Sequence, residues 1–172
     1  MLTVPDLQTG DLKKTYWSPK RVARMAIFVA LSAAGALIKI PSPTGTVALD
    51  SCPGYFSGIS FGWLEGAIVA AIGHLFTAAT TGFPLSVPMH LIIAVQMGVF
   101  AAAFWWVNKR VNLVAAVIVA TLLNGVVCAF TVLPIGGMGM VISMLLPLIV
   151  GSAVNIIIAA VAYKIVKDSD MI

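Results

Sequence analysis

Long apolar runs, separated by short polar or proline-bearing breaks, occupy most of the chain. They lie at about 22–40, 53–63, 65–80, 88–107, 111–131 and 142–164. A helix needs roughly 20 apolar residues to cross the hydrocarbon core of a bilayer. The first, fourth, fifth and sixth runs reach that length, whereas the second and third are short. Fusing residues 53–80 gives five spans; keeping them apart gives six.

Charge decides between the two. Lys13, Lys14, Lys20, Arg21 and Arg24 precede the first run, Lys109 and Arg110 sit in the fourth break, and Lys164 and Lys167 end the last run. With five spans, Lys39, Lys109, Arg110, Lys164 and Lys167 face outward, five against five. With six spans, nine of the ten cations share one side and only Lys39 lies opposite. Basic residues collect in cytoplasmic loops. The pattern therefore predicts an all-α integral membrane protein of six transmembrane helices with both termini cytoplasmic. Residues 1–20 form a cytoplasmic segment, 21–166 the membrane domain and 167–172 a cytoplasmic tail. The second and third helices meet in an inner turn at 62–66, and outer loops fall at about 41–52, 81–87 and 132–141.

Composition agrees. The chain is 60% apolar and 9% charged, with a mean hydropathy of +1.06. Soluble domains carry about 25% charged residues, so the bilayer is the solvent here. The net charge of +4 flanks the apolar runs. It meets anionic headgroups and gives no sign of a nucleic-acid partner. Cys52 and Cys128 have no metal-ligand spacing and read as packing thiols. The first 20 residues are polar and hold Pro5 and Pro19, unlike the apolar core of a signal peptide.

Polar groups inside lipid mark function or helix–helix hydrogen bonding. Several gather in the outer half. Lys39 ends helix 1, Asp50 and Tyr55 open helix 2, and His74 lies toward the outer end of helix 3. Phe83 sits in the second outer loop. His90 opens helix 4, with Gln96 deeper, and Asn124 and Asn155 lie near mid-bundle. Each has a plainer reading. Lys39 snorkels, Asp50 caps helix 2, the histidines pack or rest at the interface, and the amides bridge helices. Five methionines, Met89, Met97, Met138, Met140 and Met144, offer an adaptable apolar wall. Of the acidic residues, none lies in mid-span as ion coupling would require, and there is no phosphate-binding P-loop motif. Active import then needs energy from partners.

Two stripes of small residues stand at four-residue spacing. Ala26, Ala30 and Ala34 share one face of helix 1. Gly54, Gly58, Gly62 and Gly66 run from helix 2 into its turn and suit packing inside the bundle. The basic segment, the Ala26-Ile27-Phe28-Val29-Ala30 motif and the stretch Gly66-Ala67-Ile68-Val69-Ala70-Ala71-Ile72-Gly73-His74 resemble the S component of an energy-coupling-factor (ECF) vitamin transporter. The resemblance covers about residues 20–166. It implies a prokaryotic plasma-membrane location and a high-affinity substrate-binding subunit rather than an enzyme, without a cofactor. It also implies partners: a transmembrane T component that docks on Ala26, Ala30 and, as an extension, Ala34, and two ATPase subunits. The substrate site it implies lies in the outer half, roofed by the loop between helices 1 and 2.

Residues 41–51 and 81–90 are similar to the branch assigned to α-ribazole, the lower-ligand nucleoside of cobalamin. Lys39, Asp50, Tyr55, His74, Phe83, His90, Gln96 and Asn124 are the candidate substrate-binding residues, with Tyr55 or Phe83 stacking on the base. Another vitamin (cobalamin, riboflavin, thiamine or pantothenate) is the alternative ligand, and a small self-sufficient transporter the alternative function. Two rival readings are a haem anchor through His74 and His90 and a membrane serine enzyme at Ser60. A largely preformed lid would let a ligand enter with little displacement of protein.

Overall fold

The computed structural model describes residues 17–169, so Lys13, Lys14, Asp6, Asp11 and Asp170 lie outside the described residues. Six helices follow in order: α1 Pro19–Gly35, α2 Cys52–Phe61, α3 Trp63–Thr80, α4 Val87–Arg110, α5 Leu113–Phe130 and α6 Leu133–Asp168. Among the described residues no strand forms beyond a single antiparallel bridge between Lys39 and Ala48. The four helices α3 to α6 are each long and apolar enough to cross a membrane.

Local chemistry fixes the ends. Pro19 opens α1, where a missing N–H costs nothing, and the Ser18 hydroxyl accepts from the Arg21 amide at 3.3 Å. The apolar run was expected to stay helical to about 40, yet α1 stops at Gly35. Pro41 disfavours helix at Ile40, and residues 38–49 fold back as a small hairpin. The Ile40 amide donates to the Val47 carbonyl at 2.9 Å, and the Leu49 amide to the Ile38 carbonyl at 3.1 Å. A single residue, Gly62 at φ 131°, separates α2 from α3, a conformation that favours glycine and a tighter break than the expected turn.

The third outer loop is shorter than expected: Pro134 opens a brief helical turn, Gly137 at φ 62° kinks the chain, and the long membrane part of α6 runs on from there. Asp50 does not cap α2. Ser51 is the residue at that position, and its side chain makes no capping bond.

Contacts place the chain ends together. Arg21 and Arg24 of α1 meet Glu65 at the start of α3. Trp63 lines one surface with Trp105 and Trp106 near the end of α4, and Leu113 of α5 lines another with Lys164 of α6. Lys20, Arg21, Arg24, Lys109, Arg110, Lys164 and Lys167 all belong to this terminal end, and Lys39 to the opposite, loop end.

Glu65, only 2% exposed, takes two bonds from Arg24 Nη2 at 2.6 and 2.8 Å and one from Nε at 3.0 Å. Arg21 Nε lies 2.9 Å away in a second ion pair, and the Arg24 guanidinium stacks over Phe61 at 3.9 Å. Gly54, Gly58 and Gly66 of the glycine ladder pack internally, while Gly62 forms the turn. A Cβ on Gly54 would fall 2.7 Å from that of Ala70, and one on Gly66 would strike the Gly58 backbone. Close backbone approach of this kind joins helices that have no hydrophobic drive to associate.

The shortness of α2 creates the site. Ten residues rise about 15 Å, half the thickness of the hydrocarbon core. Above α2 the space is filled by the returning chain, whose Val47, Ala48, Asp50 and Ser51 are buried among the helices.

Candidate functional site

Directly beneath that chain lies a small, partly open void of about 50 Å³. Thr46, Val47, Ala48, Asp50 and Ser51 roof it. Its walls include His74 of α3, Ile93 and Met97 of α4, Asn124 and Cys128 of α5, and Met144, Gly151, Ser152 and Asn155 of α6. Ligands of vitamin size occupy roughly 300 Å³ or more. The seated roof acts as a plug over this void. Val47 seats against Gly151, where a Cβ would come within 2.6 Å of its Cγ1.

Asn155 pins the plug. Its Oδ1 accepts from the Cys52 amide at 2.8 Å, supplying from α6 the cap that Ser51 does not give α2. Its Nδ2 donates to the Ala48 carbonyl at 2.9 Å and to Gly151 O at 2.8 Å. One residue of α6 thus holds both the loop and the helix that follows it.

Asp50 carries the only formal charge among the lining residues. Thr77 Oγ1 donates to its Oδ2 at 2.5 Å. Burial pushes the Asp50 carboxyl up to about 6, with the Thr77 hydroxyl and Lys39 opposing. No cation reaches the void, since Lys39 is exposed and its Nζ donates to Thr80 Oγ1 at 3.0 Å.

Asn124 is 6% exposed and makes no hydrogen bond to another described residue. It stands in a π-helical turn, Leu123–Val127, that interrupts α5. Such turns shift the helical register and frequently accompany functional sites. Ser152, 3% exposed, is likewise without a hydrogen bond.

The histidines form a pair. His74 Nε2 and His90 Nδ1 lie 3.2 Å apart, and the Leu85 amide donates to His90 Nε2 at 3.4 Å. Direct contact leaves no space for an iron between those nitrogens, which removes the haem-anchor geometry. His74 borders the void; His90 is sealed behind it.

Of the candidate residues, Asp50, His74 and Asn124 meet at the void, while Lys39, Tyr55, Phe83, His90 and Gln96 do not line it. Tyr55 is wholly buried and stands edge-on to Phe104, with centroids 5.4 Å apart. Phe83 stands edge-on to His90 at 5.7 Å, and Gln96 accepts from Thr131 Oγ1 at 3.0 Å. Of the five methionines, Met97 and Met144 line the void. Ser51, Ser152 and Asn155 complete it, and only Asn155 had a sequence signal, as an amide in a membrane helix.

Residues 20–167 match the model of the family described as "ECF transporter, substrate-specific component". The chain belongs to this family. A solved chain reported under "Structure and mechanism of the S component of a bacterial ECF transporter" shares the fold. Its TM-score is 0.56 at 18% identity, covering 87% of this chain and 94% of that one. No curated protein matches the sequence. The chain is thus a multi-pass membrane S component, and S components work with a transmembrane T component and an ATPase module. Ala26, Ala30 and Ala34 all lie exposed on α1.

Proposed function

We propose that this S component captures α-ribazole at the void beneath the α1–α2 loop and delivers it to an ATP-driven importer. The loop end faces outward and both termini are cytoplasmic, as the distribution of cations favours. A T component docks on the exposed Ala26, Ala30 and Ala34, with two ATPase subunits supplying the energy.

The observation that carries this reading is the charge and bonding of the void: one carboxylate, no cation, and an amide and a hydroxyl still unbonded. An anionic vitamin such as pantothenate would face Asp50 with nothing to neutralise either charge. α-Ribazole is neutral and brings three ribose hydroxyls. Acidic side chains accept ribose hydroxyls in dinucleotide sites by the same chemistry. Asp50 Oδ1, Asn124 and Ser152 supply the matching partners, and Met97 and Met144 an apolar wall for the base. Tyr55 and Phe83 stack on other rings of the protein and drop out as base platforms.

Isothermal titration of the purified subunit tests this. α-Ribazole should bind and pantothenate should not, and Asp50→Ala should weaken α-ribazole binding by tenfold or more, as expected for loss of a charged hydrogen-bond partner. Binding of pantothenate, or unchanged affinity in Asp50→Ala, would remove the reading.

A further inference from the structure

The histidine pair has a direction. The Leu85 amide can only donate, so His90 Nε2 is the acceptor and carries no hydrogen. In a neutral imidazole the hydrogen then sits on Nδ1, which faces His74 Nε2 at 3.2 Å. His74 Nε2 must therefore accept, and its own hydrogen sits on Nδ1. A protonated His74 would set two N–H groups against each other, so the pair is neutral. His74 Nδ1 has no bonded partner among the described residues, although the side chain is 8% exposed and borders the void.

We infer that His74 is a specificity-determining residue: its Nδ1–H is a fixed donor that selects a ligand bearing an sp² nitrogen or carbonyl acceptor. His90 is a positioning residue that sets the tautomer through the Leu85 amide. The inference deepens the proposed function and rests on the same site. The unsubstituted ring nitrogen of a benzimidazole nucleoside is such an acceptor. The polarity runs from the backbone at residue 85 through two rings to the ligand, and neither ring can reverse without stranding the Leu85 N–H. A two-histidine metal clamp is the wrong chemistry here, because the lone pair of His90 Nε2 is already taken.

The test has two arms that fail separately. The first needs no ligand: ¹⁵N-histidine NMR of the full chain in lipid nanodiscs. Both rings should be neutral and protonated on Nδ1, the minority tautomer in water. In His90→Phe the His74 signal should move toward Nε2–H, which a merely structural role for His90 would not produce. Nε2–H or imidazolium at His74 in the wild type overturns the inference.

The second arm compares α-ribazole with its indole analogue, in which the acceptor nitrogen is a C–H. Wild type should prefer α-ribazole by at least about tenfold, and His74→Phe should lose the preference. Equal affinities in the wild type overturn the inference. Failure of both nucleosides to bind overturns the α-ribazole reading, and the tautomers then decide the role of His74 alone.

Discussion

Asn155→Ala should loosen the plug without unfolding the bundle. Alanine keeps α6 helical, being the best helix former. The change removes the long-range cap on the Cys52 amide and the bond to Ala48 O. Loss of a helix cap costs about 1 kcal/mol, and loss of a buried neutral hydrogen bond about another. The sum, about 2 kcal/mol, shifts the balance between seated and withdrawn loop by roughly 30-fold. Hydrogen–deuterium exchange in nanodiscs reads this directly. The Ile40 and Leu49 amides, bonded only within the hairpin, should exchange about 30-fold faster, while amides in the middle of α3 and α4 hold their rates. Unchanged exchange at residues 40 and 49 would mean that Val47 packing on Gly151, not Asn155, holds the loop. Uniform acceleration along the chain would mean that Asn155 supports the whole fold.

Ala30→Trp should abolish uptake in cells that supply the T component and ATPases yet leave ligand binding by the isolated subunit intact; lost binding would place Ala30 in the bundle's own packing. Arg24→Ala should lower stability by about 1 kcal/mol, because Arg24 is partly exposed and Arg21 still pairs with Glu65, whereas removing both arginines should cost about 3 kcal/mol by stranding the buried carboxylate. Thermal unfolding in detergent reads both, and a single loss as large as the double one would show that Arg21 does not hold Glu65. Asp50 holds its proton in the folded chain at pH values where the unfolded chain releases it. Stability from this group is therefore fully present below about pH 4 and is lost as pH rises through about 6. Asp50→Asn should flatten that stretch of the stability–pH curve, and an unaltered slope would assign it to other groups.

The helix count was legible in the sequence because charge is the scarce signal in this chain. Six helices followed from where nine cations fall, although two of them, α2 and α3, are too closely joined for apolar run length alone to separate. The ends were less legible. The apolar character of 36–40 and of 132–141 does not distinguish a helix from a loop that packs under lipid, so α1 came out too long and α6 too short. The site was legible as a neighbourhood and not as a set of contacts. Its polar residues do collect at the loop end, but helices that are apolar all round give no stripe to say which face turns inward. Tyr55 therefore turned toward Phe104, and Gln96 toward Thr131, unannounced. Asn155 acts on a helix start 103 residues away, a separation no local pattern carries. The plug itself follows from a length: ten helical residues cannot cross a bilayer, and prolines at 41, 43 and 53 keep the missing half from being helix.

The most direct measurement is mass spectrometry of small molecules released by denaturing the purified subunit after exposure to a mixed pool of vitamins and nucleosides. Release of a benzimidazole nucleoside at one equivalent per chain is the predicted result. Release of a carboxylate vitamin such as pantothenate, at the same stoichiometry, would contradict both the ligand and the electrostatic reading of the void.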